Sequence, residues 1–372
     1  MKPRAIHQLV HTLSRNDAIG EHTLEIQRLL RHEGYESNIY SEFGIRGAED
    51  LITPVDDLAA ELRNVSVVGE TVVLFHHSTG TPLIDRLLSW DAPIVVNYHN
   101  ITPAKYFAPY DPRATSEMLH GRRQTELIRA RAIGAICDST FNATDYCDGV
   151  DETFDRSKVT VASILRNWSA SPTGDQRTAG AAEGKGSKWL FVGRISPNKA
   201  QHDVVAALAV YRQQYDPQAT LTLVGYGSPQ GYADGLAAMI TSLGLTTAVD
   251  IRSGISEREL GNLYASADVF VCLSEHEGFC VPLVEALRDG VPVVAFESSA
   301  VTETVGNAGI LLTRKDPCTV AAAAHLMATD LELRAVLASR AMIRAEYFSL
   351  ENSRRRFVGA LDHILERTAA SS

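Results

Sequence analysis

The chain has 372 residues, 45% of them hydrophobic, which is enough for two domains with a core each, and its formal net charge is −10. A balance this acidic excludes nucleic acid as a general partner, since phosphate backbones are met by basic faces, so any phosphate site here has to be local. The five cysteines, Cys137, Cys147, Cys272, Cys280 and Cys318, contain no C-x-x-C pair and mostly sit in apolar stretches, so neither zinc nor a disulfide framework is indicated, which fits a reducing, cytoplasmic setting. No apolar run approaches the roughly 18 residues of a membrane span, and the N-terminus moves directly into a strand, so neither a span nor a signal peptide is expected.

Ala5–His11 reads as the first strand and the segment from near Gly20 to His32 as the helix after it, closed by Gly34. The turn between them, SRNDAIG, supplies Asn16 or Asp17 as a helix cap, or Asp17 and Gly20 as ligand contacts, because ligands of open α/β sheets gather where such turns sit. Short β-rich runs follow at Ser37–Glu42, Thr71–His77, Pro93–Asn100, Gly134–Ser139 and Val159–Leu165, with helical segments between several of them. That alternation predicts a parallel, doubly wound sheet. Polar residues cluster at the strand ends: His76, His77, Ser78 and Thr79, then His99 and Asn100, then Asp138 and Ser139. Strand-end histidines commonly bond neighbouring backbone, which is the reading for His76 and His77.

Residues 169–187, SASPTGDQRTAGAAEGKGS, have no hydrophobic period and read as an interdomain linker. A second set of strands begins at Lys188 and continues through Thr220–Tyr226, Val249–Ser253, Val269–Leu273, Val291–Phe296 and Gly309–Leu312. The turn GRISPNKAQ after the first of these puts Arg194 and Lys199 beside a helix start. VGYGSPQ places Gly225 and Gly227 after the next strand, and Ser256 with Glu259 forms a capping box just past Ile255.

The stretch SEHEGFCVPLVE, residues 274–285, joins a buried strand to a helix. Pro282 gives up an amide that the first helical turn leaves unpaired anyway, and the other amides of the turn are expected to meet an anion at the positive end of the helix dipole. Glu277 before the helix and Glu285 about one turn into it bracket that anion site, and carboxylates in this position suit vicinal hydroxyls.

The two glutamates, with EGF after the first and EA after the second, resemble the signature of retaining glycosyltransferases of family 4. The resemblance implies the GT-B fold: α/β, two doubly wound Rossmann-like domains facing a central cleft. Residues 1–168 then form the acceptor-side domain and 188–349 the nucleotide-sugar domain, with a last helix, 350–372, crossing back onto the first. It implies that Glu277 touches the transferred sugar and Glu285 the ribose. Gly278, Phe279, Cys280 and Val281 meet sugar and diphosphate through their amides, with Cys280 standing where relatives often carry Gly or Ser.

It further implies that Arg194 and Lys199 hold the leaving diphosphate, and that His99, in VVNYHNITP, points beside the reacting sugar. Asp17 and Gly20 lie near the phosphates, Gly225 and Gly227 line the nucleotide, and Ile255 lies near the base. The loop at Val301–Glu303 matches one that faces the diphosphate, without the proline often found there. The implied reaction transfers a hexosyl unit from a UDP- or GDP-sugar to a glycan, lipid-linked or small-molecule hydroxyl with retention, by front-face displacement. No D-x-D motif is present, so neither metal nor cofactor is expected. Arg354, Arg355 and Arg356 give at most peripheral membrane contact. A nucleotide-sugar epimerase of the same fold and a non-catalytic nucleotide-sugar binder remain as alternatives; the second would be expected to lose some of Glu277, Glu285, Arg194 and Lys199.

Overall fold

The computed structural model of the protein describes residues 3–15, 17–45, 47–63, 70–168, 186–227 and 229–371. It divides into two units. Unit 1 comprises residues 1–104, 116–167 and 349–372; unit 2 comprises 105–115 and 168–348. Each is built on one six-stranded, fully parallel sheet.

In unit 1 the strands are β1 (Ala5–Ser14), β2 (Ile39–Ile45), β3 (Thr71–His77), β4 (Ile94–Tyr98), β5 (Gly134–Cys137) and β6 (Val159–Val161), in spatial order β2-β1-β3-β4-β5-β6. The central strands β3, β4 and β5 are buried along their whole length. Their near-continuous apolar runs follow from that, because a parallel sheet carries helices on both faces and neither face can be polar. The two-residue period separates the sides: Val72 and Leu74 join a core with Ile6, Ile26, Val95 and Ile136, whereas Val73 and Phe75 join one with Leu9, Leu83, Val96 and Tyr98. The helix Leu350–Ser371 belongs to this unit and covers the first of those cores with Phe357, Leu361 and Ile364. Glu25, buried beneath it, is met by Arg354 at 2.9 Å.

In unit 2 the strands are β7 (Lys188–Val192), β8 (Thr220–Val224), β9 (Val249–Arg252), β10 (Val269–Cys272), β11 (Val293–Phe296) and β12 (Ile310–Leu312), in order β12-β11-β10-β7-β8-β9. Trp189 and Phe191 face one core layer with Val204, Leu208, Leu221 and Val271, while Leu190 faces the other with Phe270, Leu283, Leu287 and Val293.

Most strands end one to four residues earlier than their apolar runs, because pairing stops where the neighbour stops. The clearest case is β6, expected to reach Leu165; its last partner is Cys137, the end of β5, so pairing stops at Val161. The domain division also departs from an uninterrupted 1–168. Residues 105–115 join unit 2, where Tyr106 packs near His276 and Tyr110 lies edge-on to Tyr232 at 5.7 Å. The linker expected at 169–187 lies, apart from Gly186 and Ser187, outside the described residues. Among the described residues no helix is long and apolar enough to cross a membrane.

Phe357 is fully buried. Phe357→Ala should therefore destabilise unit 1 by about 3–5 kcal/mol, the usual cost of deleting a core aromatic. Chemical denaturation followed unit by unit should show unit 1 unfolding earlier and the unit 2 transition unmoved.

Candidate functional site

The strand order of unit 2 makes a crevice. From β7 the chain winds outward through β8 to β9, then returns to the other side of β7 for β10, so the turns leaving β7 and β10 diverge at the carboxyl end of the sheet. Lys199 stands on the first turn and Glu277 on the second, and the two form a largely buried ion pair. Burial works against the Lys199 charge, yet the adjacent Glu277 carboxylate outweighs it and the lysine pKa rises above its usual value. The amine therefore stays cationic.

The chain is shaped locally to allow this. Pro197–Lys199 forms a short 3-10 turn, and Ala200 then adopts a left-handed conformation (φ 52) that starts the helix Gln201–Gln214. Asn198 stitches the two turns together: its side-chain amide donates to the His276 carbonyl at 3.1 Å, and its own carbonyl accepts from the Glu275 amide at 2.8 Å. Gln201 donates to the Arg194 carbonyl at 2.8 Å, leaving the Arg194 side chain exposed at the rim.

The turn after β10 is clasped from β11. The Glu277 amide donates to Ser299 Oγ at 2.9 Å, the Ala300 amide to the Glu277 carbonyl at 3.3 Å, and Thr304 Oγ1 to the Phe279 carbonyl at 2.5 Å. The segment expected as a loop at Val301–Glu303 is instead the start of the helix Val301–Val305, and Val301 is fully buried, so this helix supports the turn from behind. The left-handed residue of the turn is Cys280 (φ 72), immediately before the helix Val281–Arg288. Among the described residues the amides of Phe279, Cys280 and Val281 have no backbone acceptor. Glu285, one turn into that helix, accepts a hydrogen bond from Tyr264 Oη at 2.8 Å, which fixes its carboxylate.

The remaining expected residues of unit 2 gather at the same end of the sheet. Gly225 (φ 158) is required by close approach: a Cβ there would sit 2.0 Å from the Gly193 carbonyl oxygen. Gly227 pairs with Ile195 as a single bridge, and Ile255 packs partly buried near Val192 and Leu260. The sequence reading missed Asn198, Ser299 and Tyr264, whose partners lie between 18 and 78 residues away, and no local spacing announces them. It also missed Lys315, which bridges Asp203 and Glu275 at 2.5 Å each.

In unit 1, Asp17 is the cap of the helix Ala18–His32, accepting from the Gly20 amide at 2.7 Å. Gly20 is pressed against the Ser14 carbonyl, with no room for a side chain. His99 is buried with both ring nitrogens engaged, Nδ1 to Asp138 Oδ2 at 2.7 Å and Nε2 to His76 Nδ1 at 2.9 Å. The proton positions follow from the chain of partners. Gln8 donates its amide to the Thr23 carbonyl at 3.0 Å, so its oxygen faces His76 Nε2 at 2.9 Å and that nitrogen must carry the hydrogen. His76 Nδ1 is then an acceptor and His99 Nε2 is the donor to it, while His99 Nδ1 faces Asp138 Oδ2.

His22, His99 and Asp138 lie close enough to share a cation, but both His22 nitrogens are used, one by the Leu165 amide at 2.8 Å and the other by Asn97 at 2.9 Å. The cluster is a hydrogen-bonded one. His76 and His77 behave as structural histidines: His77 Nε2 meets Thr125 Oγ1 at 2.9 Å, and burial holds the pKa of both below the usual value.

Residues 174–343 match the family model described as glycosyl transferases group 1. Among curated proteins, the O-antigen chain mannosyltransferase B of Escherichia coli is 30% identical over 44% of this chain, which spans 42% of that protein. The D-inositol 3-phosphate glycosyltransferase of Frankia alni is 26% identical over 76% of this chain and 71% of its own length. Among solved structures, Anabaena HepE in complex with UDP-glucose superposes with a TM-score of 0.70 at 18% identity, covering 96% of this chain and 99% of HepE. The fold is GT-B. Within this GT-B chain the family match covers most of unit 2, where Lys199 and Glu277 meet.

The buried histidines give unit 1 an acid sensitivity. Burial lowers the His22 pKa from 6.5 to about 4 and that of His77 to about 3, so the folded state holds both neutral while the unfolded chain protonates them below 6.5. Stability from this source is fully present above pH 6.5 and is lost as pH falls toward 4. For His22 that fall corresponds to about 3 kcal/mol, at about 1.4 kcal/mol per pH unit. The urea midpoint of unit 1 should drop between pH 7 and pH 5, and His22→Gln should flatten the dependence. A midpoint equal at both pH values would contradict the neutral assignment.

Proposed function

We propose that the protein is a retaining glycosyltransferase that moves a hexosyl unit from a UDP- or GDP-sugar to a hydroxyl acceptor without a metal ion. The observation that carries this reading is the Lys199–Glu277 pair at the mouth of the unit 2 crevice, beside three backbone amides without backbone acceptors. Cation and amides suit a diphosphate, and the two carboxylates suit hydroxyls on either side of it. The match to group 1 glycosyl transferases and the nucleotide sugar bound by HepE support the same assignment.

When the donor bond breaks, negative charge builds on the β-phosphate. A fixed cation about 4 Å away is worth about 4 kcal/mol at an effective dielectric of about 20, before desolvation, so Lys199 with Arg194 and the helix N-terminus can take the role a metal has elsewhere. The leaving phosphate oxygen accepts the acceptor's proton, which makes the displacement front-face and retaining. Glu285, fixed by Tyr264, holds the ribose, and Glu277 holds the transferred sugar. The amides from Gly278 to Val281 meet sugar and diphosphate, with Gly225, Gly227 and Ile255 on the nucleotide. His99 keeps the place beside the reacting sugar, its ring orientation fixed by Asp138 on one nitrogen and His76 on the other. Asp17 and Gly20 contribute the capped start of their helix. The acceptor is a glycan, a lipid-linked sugar or a small molecule.

Arg194 is exposed and among the described residues its side chain makes no hydrogen bond or ion pair, only a charge interaction with Glu277, so Arg194→Ala should leave stability nearly unchanged and lower turnover by roughly a hundredfold, the scale of losing one oxyanion donor. Single-turnover measurements in excess EDTA should give the wild-type rate undiminished and the variant's loss intact. A rate that collapses in EDTA and returns with Mg²⁺ would overturn the leaving-group site.

The glutamates separate by calorimetry. Glu285→Ala should weaken binding of free UDP or GDP at least tenfold, since the ribose contact persists without a sugar, whereas Glu277→Gln, which keeps an oxygen acceptor for Lys199, should leave that affinity nearly intact and impair transfer. Equal losses of nucleotide affinity would show that the roles are wrongly divided.

A further inference from the structure

Three ligating side chains meet beneath the turn after β10, and the transfer chemistry uses only one of them. Cys272 ends the strand, Cys280 is the left-handed residue before the helix, and Glu277 lies between. Two sulfurs and a carboxylate oxygen lie within 4.8 Å of one another, and all three residues are buried. Neither cysteine is in a disulfide; Cys272 contacts Ser274 Oγ at 3.5 Å and shares a thiol–thiol hydrogen bond with Cys280. A buried pair of thiols against a carboxylate is a soft donor set.

We propose that Cys272, Cys280 and Glu277 bind a thiophilic divalent cation of the zinc and cadmium class, and that its binding disables the Lys199–Glu277 pair and so inhibits sugar transfer. The inhibitory half rests on the function proposed above; the binding half does not.

The geometry favours an ion over a disulfide. Tetrahedral zinc with Zn–S bonds of about 2.3 Å holds two sulfurs about 3.8 Å apart, within the 4.8 Å that the three ligand atoms already span. A disulfide needs about 2.05 Å, which would pull the last residue of a paired strand toward a residue held in a left-handed turn. Three protein donors leave a fourth position for water or a substrate oxygen, and thiolates select soft ions over Mg²⁺. The charges close as well: two thiolates and a carboxylate carry −3, the cation and Lys199 together +3. In the binding step each thiol loses its proton to solvent, two S–metal bonds form and the ion sheds water. The carboxylate oxygen that joins the metal shell is no longer fully available to Lys199 or to a sugar hydroxyl.

The test uses the reduced full-length protein and Cd²⁺ alone. One equivalent should produce thiolate-to-cadmium charge-transfer absorption and release two protons, counted with a pH indicator. Cys272→Ser and Cys280→Ser should each weaken binding at least tenfold, while Cys318→Ala, at an exposed cysteine elsewhere, should bind like wild type. The proton count in the unmutated protein keeps the proposal testable should either serine variant fold poorly. Absence of the absorption band, its persistence in the double variant, or air oxidation to a Cys272–Cys280 disulfide in place of metal uptake overturns the site. Cadmium binding that leaves transfer unchanged overturns the inhibitory half. Cadmium binding by a protein that takes up no nucleotide sugar upholds the metal site and sinks the transferase reading, so the two failures are distinct.

Discussion

The pairing of Lys199 with Glu277 is the constraint on which unit 2 turns. Each charge sits where water is scarce, and a charge in that position is costly without a partner. Neither turn can therefore hold its conformation independently of the other: removing the lysine leaves a buried carboxylate, and removing the glutamate leaves a buried amine. Asn198 repeats the same dependence with neutral groups, bonding the turn after β10 in both directions. The apolar layers on either face of the sheet put the strand ends in register, and the polar pairs across the crevice then decide how the turns lie.

Unit 1 solves the corresponding problem with a file of hydrogen bonds. Gln8 inside β1, His76 near the end of β3, and His99 and Asp138 just past β4 and β5 stand in one file, linked by successive hydrogen bonds. A file of this kind has a single satisfied arrangement of protons, set at one end by a backbone carbonyl that can only accept. Buried polar groups are costly unless partnered, and the file leaves one such atom, Asp138 Oδ1, without a hydrogen-bond partner among the described residues. The linkage from side chain to side chain is the reason the cluster differs from a collection of strand-end histidines each bonded to nearby backbone.

Much of this was legible from local pattern. Apolar runs located all twelve strands, because a sheet buried on both faces leaves little ambiguity about where it passes. The turn at residues 274–285 was legible because Pro282, the two glutamates and the apolar run before them constrain one another over a dozen positions. What escaped depended on distance in sequence. Ser299 reaches Glu277 across 22 residues and Asn198 reaches His276 across 78. The excursion of residues 105–115 into unit 2 depends on Tyr106 and Tyr110 finding rings far along the chain. The left-handed conformation at Cys280 escaped for a different reason: that backbone is ordinarily announced by Gly or Asn, and here it is imposed on a cysteine by the clasp from β11.

The helix Leu350–Ser371 also bears on how the chain is made. Its apolar face closes the core over β1, β3, β4 and β5, and Arg354 meets Glu25 across 329 residues of sequence. During synthesis the strands of unit 1 leave the ribosome first but stand half-covered until Ile364 has emerged, by which time every strand of unit 2 is already out. The unit translated second is thus the first able to finish folding. The nascent first unit must keep an apolar sheet face from aggregating for most of the translation time, which is the circumstance in which a chaperone at the ribosome exit has its longest opportunity to bind.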